Sequence, residues 1–185
     1  MIPFEHIDPS WTLFLDRDGV INVEKEGSYI LHYGEFVFLQ GVHEALQRCA
    51  AAFGHIVVVT NQRGVGKGMM TAADLQDIHD KMVAAIELAG GRISRIYYAD
   101  SLDNAHPLRK PQPGMALAAQ RELPGVDLSR SVMVGNNLSD MEFGRNAGMY
   151  TAFVRTTNPE QPLPHPAIDM AFESLPDFAK HLRLA

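Results

Sequence analysis

The chain has 185 residues, which is enough for one domain with a sizeable hydrophobic core but short for two. Its formal net charge of -6 argues against a general nucleic-acid or membrane-surface binder, because both need an extended positive face. One cysteine, Cys49, excludes an internal disulfide and fits a reducing cytoplasm. The first residues do not resemble a signal peptide, and no apolar run approaches the length of a membrane span. We therefore expect a single cytoplasmic domain over residues 1–185, monomeric by default, with no nucleic-acid or membrane partner.

Short apolar runs alternate with amphipathic stretches along the chain. The apolar runs predict strands at residues 11–15, 55–60, 93–99, 131–135, 150–154 and 168–172. The helical spacing predicts helices over residues 42–53, 72–89, 114–122, 138–147 and 174–184, and Thr71 with Asp74 forms an N-terminal capping signal. This order predicts an α/β fold, in which a Rossmann-like, doubly wound parallel sheet has helices on both faces.

Polar residues follow four of the predicted strands or precede the helices after them. These segments are Asp16-Arg17-Asp18-Gly19, Thr60-Asn61-Gln62, Arg109-Lys110-Pro111 and Gly135-Asn136-Asn137-Leu138-Ser139-Asp140. Each segment alone is also compatible with an ordinary turn. Because an open α/β sheet binds its ligands at the carboxyl ends of its strands, the four segments together predict a site at that edge.

The four segments, in this order and spacing, resemble the haloacid dehalogenase (HAD) superfamily of phosphohydrolases over roughly residues 11–155. The closest likeness is to the branch with a minimal cap or none, subfamily IIIA, which contains heptose 1,7-bisphosphate phosphatases and histidinol-phosphate phosphatases. It lies in the stretches 16–22, 60–64 and 109–115. The resemblance implies a hydrolase of carbohydrate metabolism that acts on a small phosphorylated metabolite, such as a heptose bisphosphate.

The resemblance also implies roles for the catalytic groups. Asp16 is the expected nucleophile, which forms an aspartyl-phosphate, and Asp18 is the expected general acid and base. Thr60 is expected to donate a hydrogen bond to phosphate, and Lys110 to offset negative charge on the phosphate and the nucleophile. Each single residue has a plainer reading as a turn or surface residue.

Substrate and metal ligands follow from the same resemblance. Asn61 and Arg109 are expected to bind the substrate. Magnesium is the expected cofactor, because oxygen ligands suit this hard cation. Its predicted ligands are Asp16, Asp18 through the main-chain carbonyl, Asn136 and Asp140, which could instead orient Lys110.

One residue departs from the family pattern, because Asn136 stands where an aspartate is usual. The amide oxygen of an asparagine can bind magnesium, but a neutral ligand binds it less tightly than a carboxylate does. Three functions therefore stay open: a heptose-bisphosphate phosphatase, a histidinol-phosphate phosphatase, and a catalytically weak or inactive phosphate-binding homologue.

Specificity depends on loops that the sequence characterises poorly. The segment 100–108 contains no cysteine and one histidine, His106, so we expect no structural zinc, and we expect His106 to contact substrate or solvent. Gly64-Val65-Gly66-Lys67-Gly68 lacks the spacing of a nucleotide-binding P-loop and predicts a rim loop in which Arg63 and Lys67 attract an anion, or a solvated turn. The candidate leaving-group contacts are Glu24, Lys25, Glu26, Tyr29, His32 and Tyr33.

Overall fold

The computed structural model describes residues 1–183. Its six strands are β1 (Thr12–Leu15), β2 (His55–Asn61), β3 (Arg95–Ala99), β4 (Ser131–Gly135), β5 (Tyr150–Val154) and β6 (Met170–Phe172). Its α-helices are α1 (Val42–Ala52), α2 (Arg63–Gly66), α3 (Ala72–Leu88), α4 (Gly114–Glu122), α5 (Leu138–Ala147) and α6 (Leu175–Ala179). None of these helices is both long and apolar enough to cross a membrane.

The six strands form one sheet in the order β3-β2-β1-β4-β5-β6, and every neighbouring pair is parallel. Strand β1 lies between β2 and β4, so the chain builds the sheet outwards from β1 in both directions. In such a sheet a crevice opens at the carboxyl end of the strands, where the winding reverses. The predicted Rossmann-like, doubly wound α/β fold is confirmed, and the crevice falls beside Asp16.

The alternation of side chains along the strands separates two hydrophobic cores. Leu13 and Leu15 point to the face covered by α1, α3 and α6, whereas Phe14 between them points to the face covered by α4 and α5. All four side chains of β1 are buried. Both faces of the sheet are therefore covered, which explains why the strands are continuous apolar runs in the sequence.

The connection from β1 to α1, residues 16–41, lies over the carboxyl edge of the sheet. It contains two isolated β-bridges, which pair Asn22 with Asp18 and with Phe38, and one 3₁₀ turn, Tyr33–Glu35. The connection is thus a short folded loop, as expected for a minimal cap. It places Glu24, Ser28 and Tyr29 beside the site.

Several predicted elements differ from the structure, among them β3, which begins at Arg95 rather than at residue 93. Arg63–Gly66 forms the short helix α2 within the predicted rim loop, and β6 begins at Met170 rather than at residue 168. The last helix ends at Ala179. After Ala179 the main-chain bonds tighten, because the N–H groups of His181 and Leu182 donate to carbonyl oxygens only three residues earlier. The Arg48 guanidinium donates further hydrogen bonds to the carbonyl oxygens of Ala179 and Leu182. Leu184, the predicted end of that helix, lies outside the described residues.

Candidate active site

A cavity of about 190 Å³ opens at the carboxyl edge of the sheet. Four predicted catalytic residues, Asp16, Asp18, Thr60 and Lys110, line the same cavity although they come from three separate segments of the chain. The remaining lining residues are Glu24, Lys25, Ser28, Tyr29, Ile30, Asn61, Gln62, Asn137, Ser139 and Asp140. The topology of the sheet thus assembles the groups that the sequence motifs carry, while their chemical roles stay predictions.

Lys110 links two carboxylates at the floor of the cavity. Its Nζ lies 2.9 Å from Asp16 Oδ1 and 2.7 Å from Asp140 Oδ1, and it donates a third hydrogen bond of 2.8 Å to the carbonyl oxygen of Val59. Burial disfavours the charged ammonium, but the two carboxylates outweigh it and raise the pKa of Lys110. The lysine therefore remains a cation inside the protein.

The carboxyl of Asp16 is in an environment that resists ionisation. Burial, which is the largest effect, raises its pKa from 3.8 to about 7, the neighbouring Asp140 and Asp18 add to the rise, and Lys110 opposes it. A nucleophilic carboxylate must be ionised, so additional positive charge beside Asp16 would favour the reactive form.

Asp18 is held by a buried arginine that the sequence analysis left without a role. Arg17 has no exposed side-chain surface, and its Nη2 donates to both oxygens of Asp18 at 2.9 and 3.0 Å. Its Nη1 lies 3.2 Å from Nε2 of His79, which must accept because a guanidinium only donates. Asn22 and Gln62 donate two further hydrogen bonds to Asp18. An arginine between two aspartates at the end of an apolar strand is the signal that could have identified this support.

These contacts fix the ionisation of Asp18. Burial opposes the charged carboxylate, but the Arg17 guanidinium and the three hydrogen-bond donors outweigh burial and lower the pKa of Asp18. Gln62 also donates to Thr60 Oγ1 at 2.9 Å, which leaves the hydroxyl proton of Thr60 available for another acceptor. Thr60 is thus able to donate to an oxyanion in the cavity.

The two predicted substrate ligands are placed differently. Asn61 lines the cavity, but its side-chain amide is paired with the main chain of Lys110, to which Nδ2 donates at 3.2 Å and from which Oδ1 accepts at 3.1 Å. Arg109 is not among the lining residues and instead holds its own loop, because it donates to Asn104 Oδ1 and to the carbonyl oxygen of Ser101. Both contacts support the loop that presents Lys110, whereas binding of substrate by either residue stays a prediction.

The loop after β4 places Asn136 and Asp140 in different ways. Asp140 uses both carboxylate oxygens: Oδ1 contacts Lys110, and Oδ2 accepts from the main-chain N–H groups of Asn136 and Asn137. Gly135 must be a glycine, because a Cβ there would lie 2.3 Å from the Cβ of Asp140. This geometry favours the role of orienting Lys110 that the sequence offered for Asp140, and its role as a metal ligand stays a prediction.

Asn136 is fully buried, and its amide is only half satisfied. Nδ2 donates to Glu24 Oε2 at 2.9 Å and to Thr157 Oγ1 at 2.6 Å, whereas Oδ1 has no hydrogen-bond partner within residues 1–183. An unpaired buried oxygen costs free energy unless a ligand or water satisfies it. It therefore fits a role as a cation ligand, and the oxygen-only donors predicted around it suit magnesium. No cluster of three or more His, Cys, Asp or Glu side chains within the described residues is arranged to hold a metal, so amide or main-chain oxygens would have to complete a site that includes Asp16.

The candidate leaving-group residues divide into two groups. Glu24, Lys25 and Tyr29 line the cavity, whereas Glu26, His32 and Tyr33 do not. Lys25 pairs with Glu35 at 2.6 Å. The predicted rim cation Lys67 lies 5.1 Å from the ring centroid of Tyr29, so positive charge approaches the cavity on this side.

Arg63, at the start of α2, and His106, in the loop after β3, contact main-chain groups of their surroundings. Arg63 donates to the carbonyl oxygen of Leu102 and to Asn104 Oδ1, the same oxygen that accepts from Arg109. His106 accepts from the main-chain N–H of Leu108, a contact within its own turn. Arg63 therefore joins the loop after β2 to the loop after β3.

Several known proteins are similar to this chain in sequence and in fold. A family model described as HAD-hydrolase-like matches residues 107–178. The D-glycero-alpha-D-manno-heptose-1,7-bisphosphate 7-phosphatase of Mycobacterium bovis is 34% identical over 176 residues, 95% of this chain and 93% of that protein. The D-glycero-beta-D-manno-heptose-1,7-bisphosphate 7-phosphatase of Escherichia coli is 32% identical over 180 residues, 92% of this chain and 93% of that protein.

A solved structure agrees with these relatives. The D,D-heptose 1,7-bisphosphate phosphatase of B. bronchiseptica, complexed with magnesium and phosphate, superimposes with a TM-score of 0.82 at 31% identity and covers 92% of this chain and 96% of its own. Length, fold and sequence thus agree across nearly the whole chain. The chain belongs to the HAD-like phosphatase family that includes the heptose-1,7-bisphosphate 7-phosphatases.

Proposed function

We propose that the chain is a magnesium-dependent phosphatase that hydrolyses the 7-phosphate ester of D-glycero-D-manno-heptose 1,7-bisphosphate in the cytoplasm. The observation that carries this proposal is the chain of contacts from Asp16 through Lys110 to Asp140, in the same cavity as Asp18. The names of the relatives supply the substrate. One buried thiol, Cys49, favours the reducing compartment.

The residues divide the reaction into two displacements. In the first, Asp16 attacks phosphorus and the bond to the sugar oxygen breaks. Asp18, whose lowered pKa means that it must first take up a proton from solvent, gives that proton to the sugar oxygen. In the second, Asp18 takes a proton from water, which attacks the aspartyl-phosphate, and inorganic phosphate leaves while Asp16 is regenerated. Thr60 donates to a phosphate oxygen, and Lys110 offsets the charge that accumulates on it.

Asp16, the main-chain carbonyl of Asp18 and Asn136 are the groups that would hold magnesium. The ion would supply positive charge that screens the nucleophile from the phosphate. The raised pKa of Asp16 supports this requirement, because the carboxylate is the less stable form in its buried position. Asp140 and Lys110 then keep the nucleophile in place.

A bisphosphate carries a second anionic group, and the rim has positive charge to receive it. Within residues 1–183, Arg63 and Lys67 have no carboxylate within 4 Å, and Lys67 lies over the ring of Tyr29, which lines the cavity. Unpaired cations near the mouth raise the local concentration of an anionic substrate. They favour a bisphosphate over an amine-bearing substrate such as histidinol phosphate.

The test is release of phosphate from a panel of esters: the α and β anomers of the heptose bisphosphate, histidinol phosphate and 4-nitrophenyl phosphate. We expect the highest kcat/KM for one heptose anomer, loss of release in EDTA, and no detectable release by Asp16→Asn. Asp77→Asn, which changes an exposed aspartate of α3, is the control and should act as the unmodified chain. A preference for histidinol phosphate would overturn the substrate proposal.

The neutral side chain of Asn136, which stands where the family pattern has an aspartate, supports a second candidate, a weak or inactive phosphate-binding homologue. No release at saturating magnesium, with release restored by Asn136→Asp, would establish it instead of the phosphatase.

A further inference from the structure

One carboxylate that lines the cavity, that of Glu24, is not among the predicted metal ligands. Glu24 lies on the loop after β1, and its Oε2 accepts a hydrogen bond of 2.9 Å from Nδ2 of Asn136, the residue that stands where the family pattern has an aspartate. Asn136 is fully buried, whereas Glu24 is an exposed residue whose carboxylate reaches inward. The neutral side chain of Asn136 is thus in contact with the carboxylate of Glu24, whereas the family pattern has a single aspartate at residue 136.

The backbone allows this approach at one position. Gly19 has a φ of +80°, and a Cβ there would lie 2.1 Å from Asn136 Nδ2 and 3.1 Å from Glu24 Oε2. Glu24 also lines both the reactive cavity and a neighbouring cavity of about 480 Å³, which further contains Glu26, Asn137 and Thr157. Its carboxylate therefore lies at the boundary of the site.

We propose that Glu24 supplies the carboxylate charge that Asn136 lacks at the cation site, an inference that rests on the proposed function. The amide of Asn136 holds Glu24 through Nδ2, while its own Oδ1 is buried without a partner among residues 1–183 and so retains a free acceptor for the ion. Together the two residues present an amide oxygen and one negative charge, where an aspartate would present both in one group. The binding of a hard cation depends on ligand charge, so Glu24 sets the affinity for magnesium.

The experiment measures binding of Mg²⁺ itself, by isothermal titration calorimetry, in the full chain without substrate. Changes to groups that surround metal ligands commonly weaken binding 10- to 100-fold, so we expect Glu24→Gln to raise the Kd for Mg²⁺ by about tenfold or more. Glu26→Gln removes the same charge from the neighbouring cavity and is the matched control, with an expected change below about threefold. Thermal unfolding of each variant verifies that it is folded.

A second variant separates charge from shape. Asn136→Asp combined with Glu24→Gln returns one negative charge to residue 136, so the double variant should bind Mg²⁺ with a Kd close to that of the unmodified chain. The proposal is overturned if Glu24→Gln binds Mg²⁺ as tightly as Glu26→Gln, or if the double variant binds as weakly as Glu24→Gln alone. Such results would leave the proposed function intact as long as the unmodified chain releases phosphate with magnesium, whereas absence of that release would refute the function itself.

Discussion

Replacing Lys110 by methionine tests whether the buried charge network holds the site together. Methionine keeps most of the volume of the side chain but removes the ammonium that lies 2.9 Å from Asp16 and 2.7 Å from Asp140. The lysine side chain is only 2% exposed, so water cannot replace its contacts. Removing one partner from a buried ion pair costs about 3–5 kcal/mol, because the remaining charge is left uncompensated. We expect Lys110→Met to lose that amount of unfolding free energy at pH 7.5, out of a total of about 5–15 kcal/mol for an ordinary domain.

The loss should shrink at low pH. Without the ammonium, Asp16 avoids buried charge by taking up a proton, since its pKa is raised to about 7 even with the lysine in place. At pH 5 the carboxyl of Asp16 is therefore largely neutral in the variant, and less of the penalty remains.

Urea unfolding followed by the fluorescence of Trp11, the one tryptophan of the chain, provides the measurement. Lys81→Met is the matched control, because Lys81 forms one exposed pair with Asp77 and should lose less than about 1 kcal/mol. The reasoning is refuted if Lys110→Met also loses less than about 1 kcal/mol, or if its loss is the same at pH 5 and pH 7.5.

Three further predictions concern buried titratable groups. Burial and the neighbouring Arg17 lower the pKa of His79 to about 3. Below pH 6.5 only the unfolded state therefore takes up this proton, and the free energy of unfolding decreases by about 1.4 kcal/mol for each unit that the pH is lowered. His79→Gln should flatten this dependence in urea unfolding between pH 6 and pH 4, and an unchanged slope would contradict the prediction. Burial instead raises the pKa of Asp16, so its contribution to stability falls as pH rises from about 4 to about 7. Because Asp140 still compensates the charge of Lys110, Asp16→Asn should have a higher Tm than the unmodified chain in EDTA at pH 8, and a lower Tm would contradict this. Burial raises the pKa of the Cys49 thiol to about 12, so a disulfide reagent at pH 8 should modify it only as fast as the chain unfolds; rapid modification of the native protein would show that the thiol is accessible.

The sheet could be predicted from the sequence because both of its faces are covered. A strand that is buried on both faces is an uninterrupted apolar run, as in Leu13-Phe14-Leu15, so its position is visible without knowledge of its neighbours. The order of parallel strands then requires that the segments after them meet at one edge, which brings Asp16 and Lys110 together. The ends of elements were less predictable, because they also involve distant residues such as Arg48, which donates to the carbonyl oxygens of Ala179 at the end of α6 and of Leu182 beyond it.

The distant partner of Arg17 could not be predicted, because this contact joins residues far apart in the chain. His79 lies on α3 and contacts Arg17, which is 62 positions earlier, and no local pattern marks either residue as a partner of the other. Asn61 shows the opposite problem. Its position after a strand suggests a substrate ligand, but its amide is paired with the main chain of Lys110.

Asp140 and Asn136 both follow β4 closely, but more of the structure depends on the side chain of Asp140. Its carboxylate both contacts Lys110 and accepts hydrogen bonds from two main-chain N–H groups at the start of α5, so removal of its charge would loosen that helix as well as the site. Within the described residues, the side-chain amide of Asn136 instead donates its hydrogen bonds to Glu24 and Thr157. A substitution at residue 140 should therefore lower the stability of the fold as well as activity, whereas a substitution at residue 136 leaves the hydrogen bonds at the start of α5 in place.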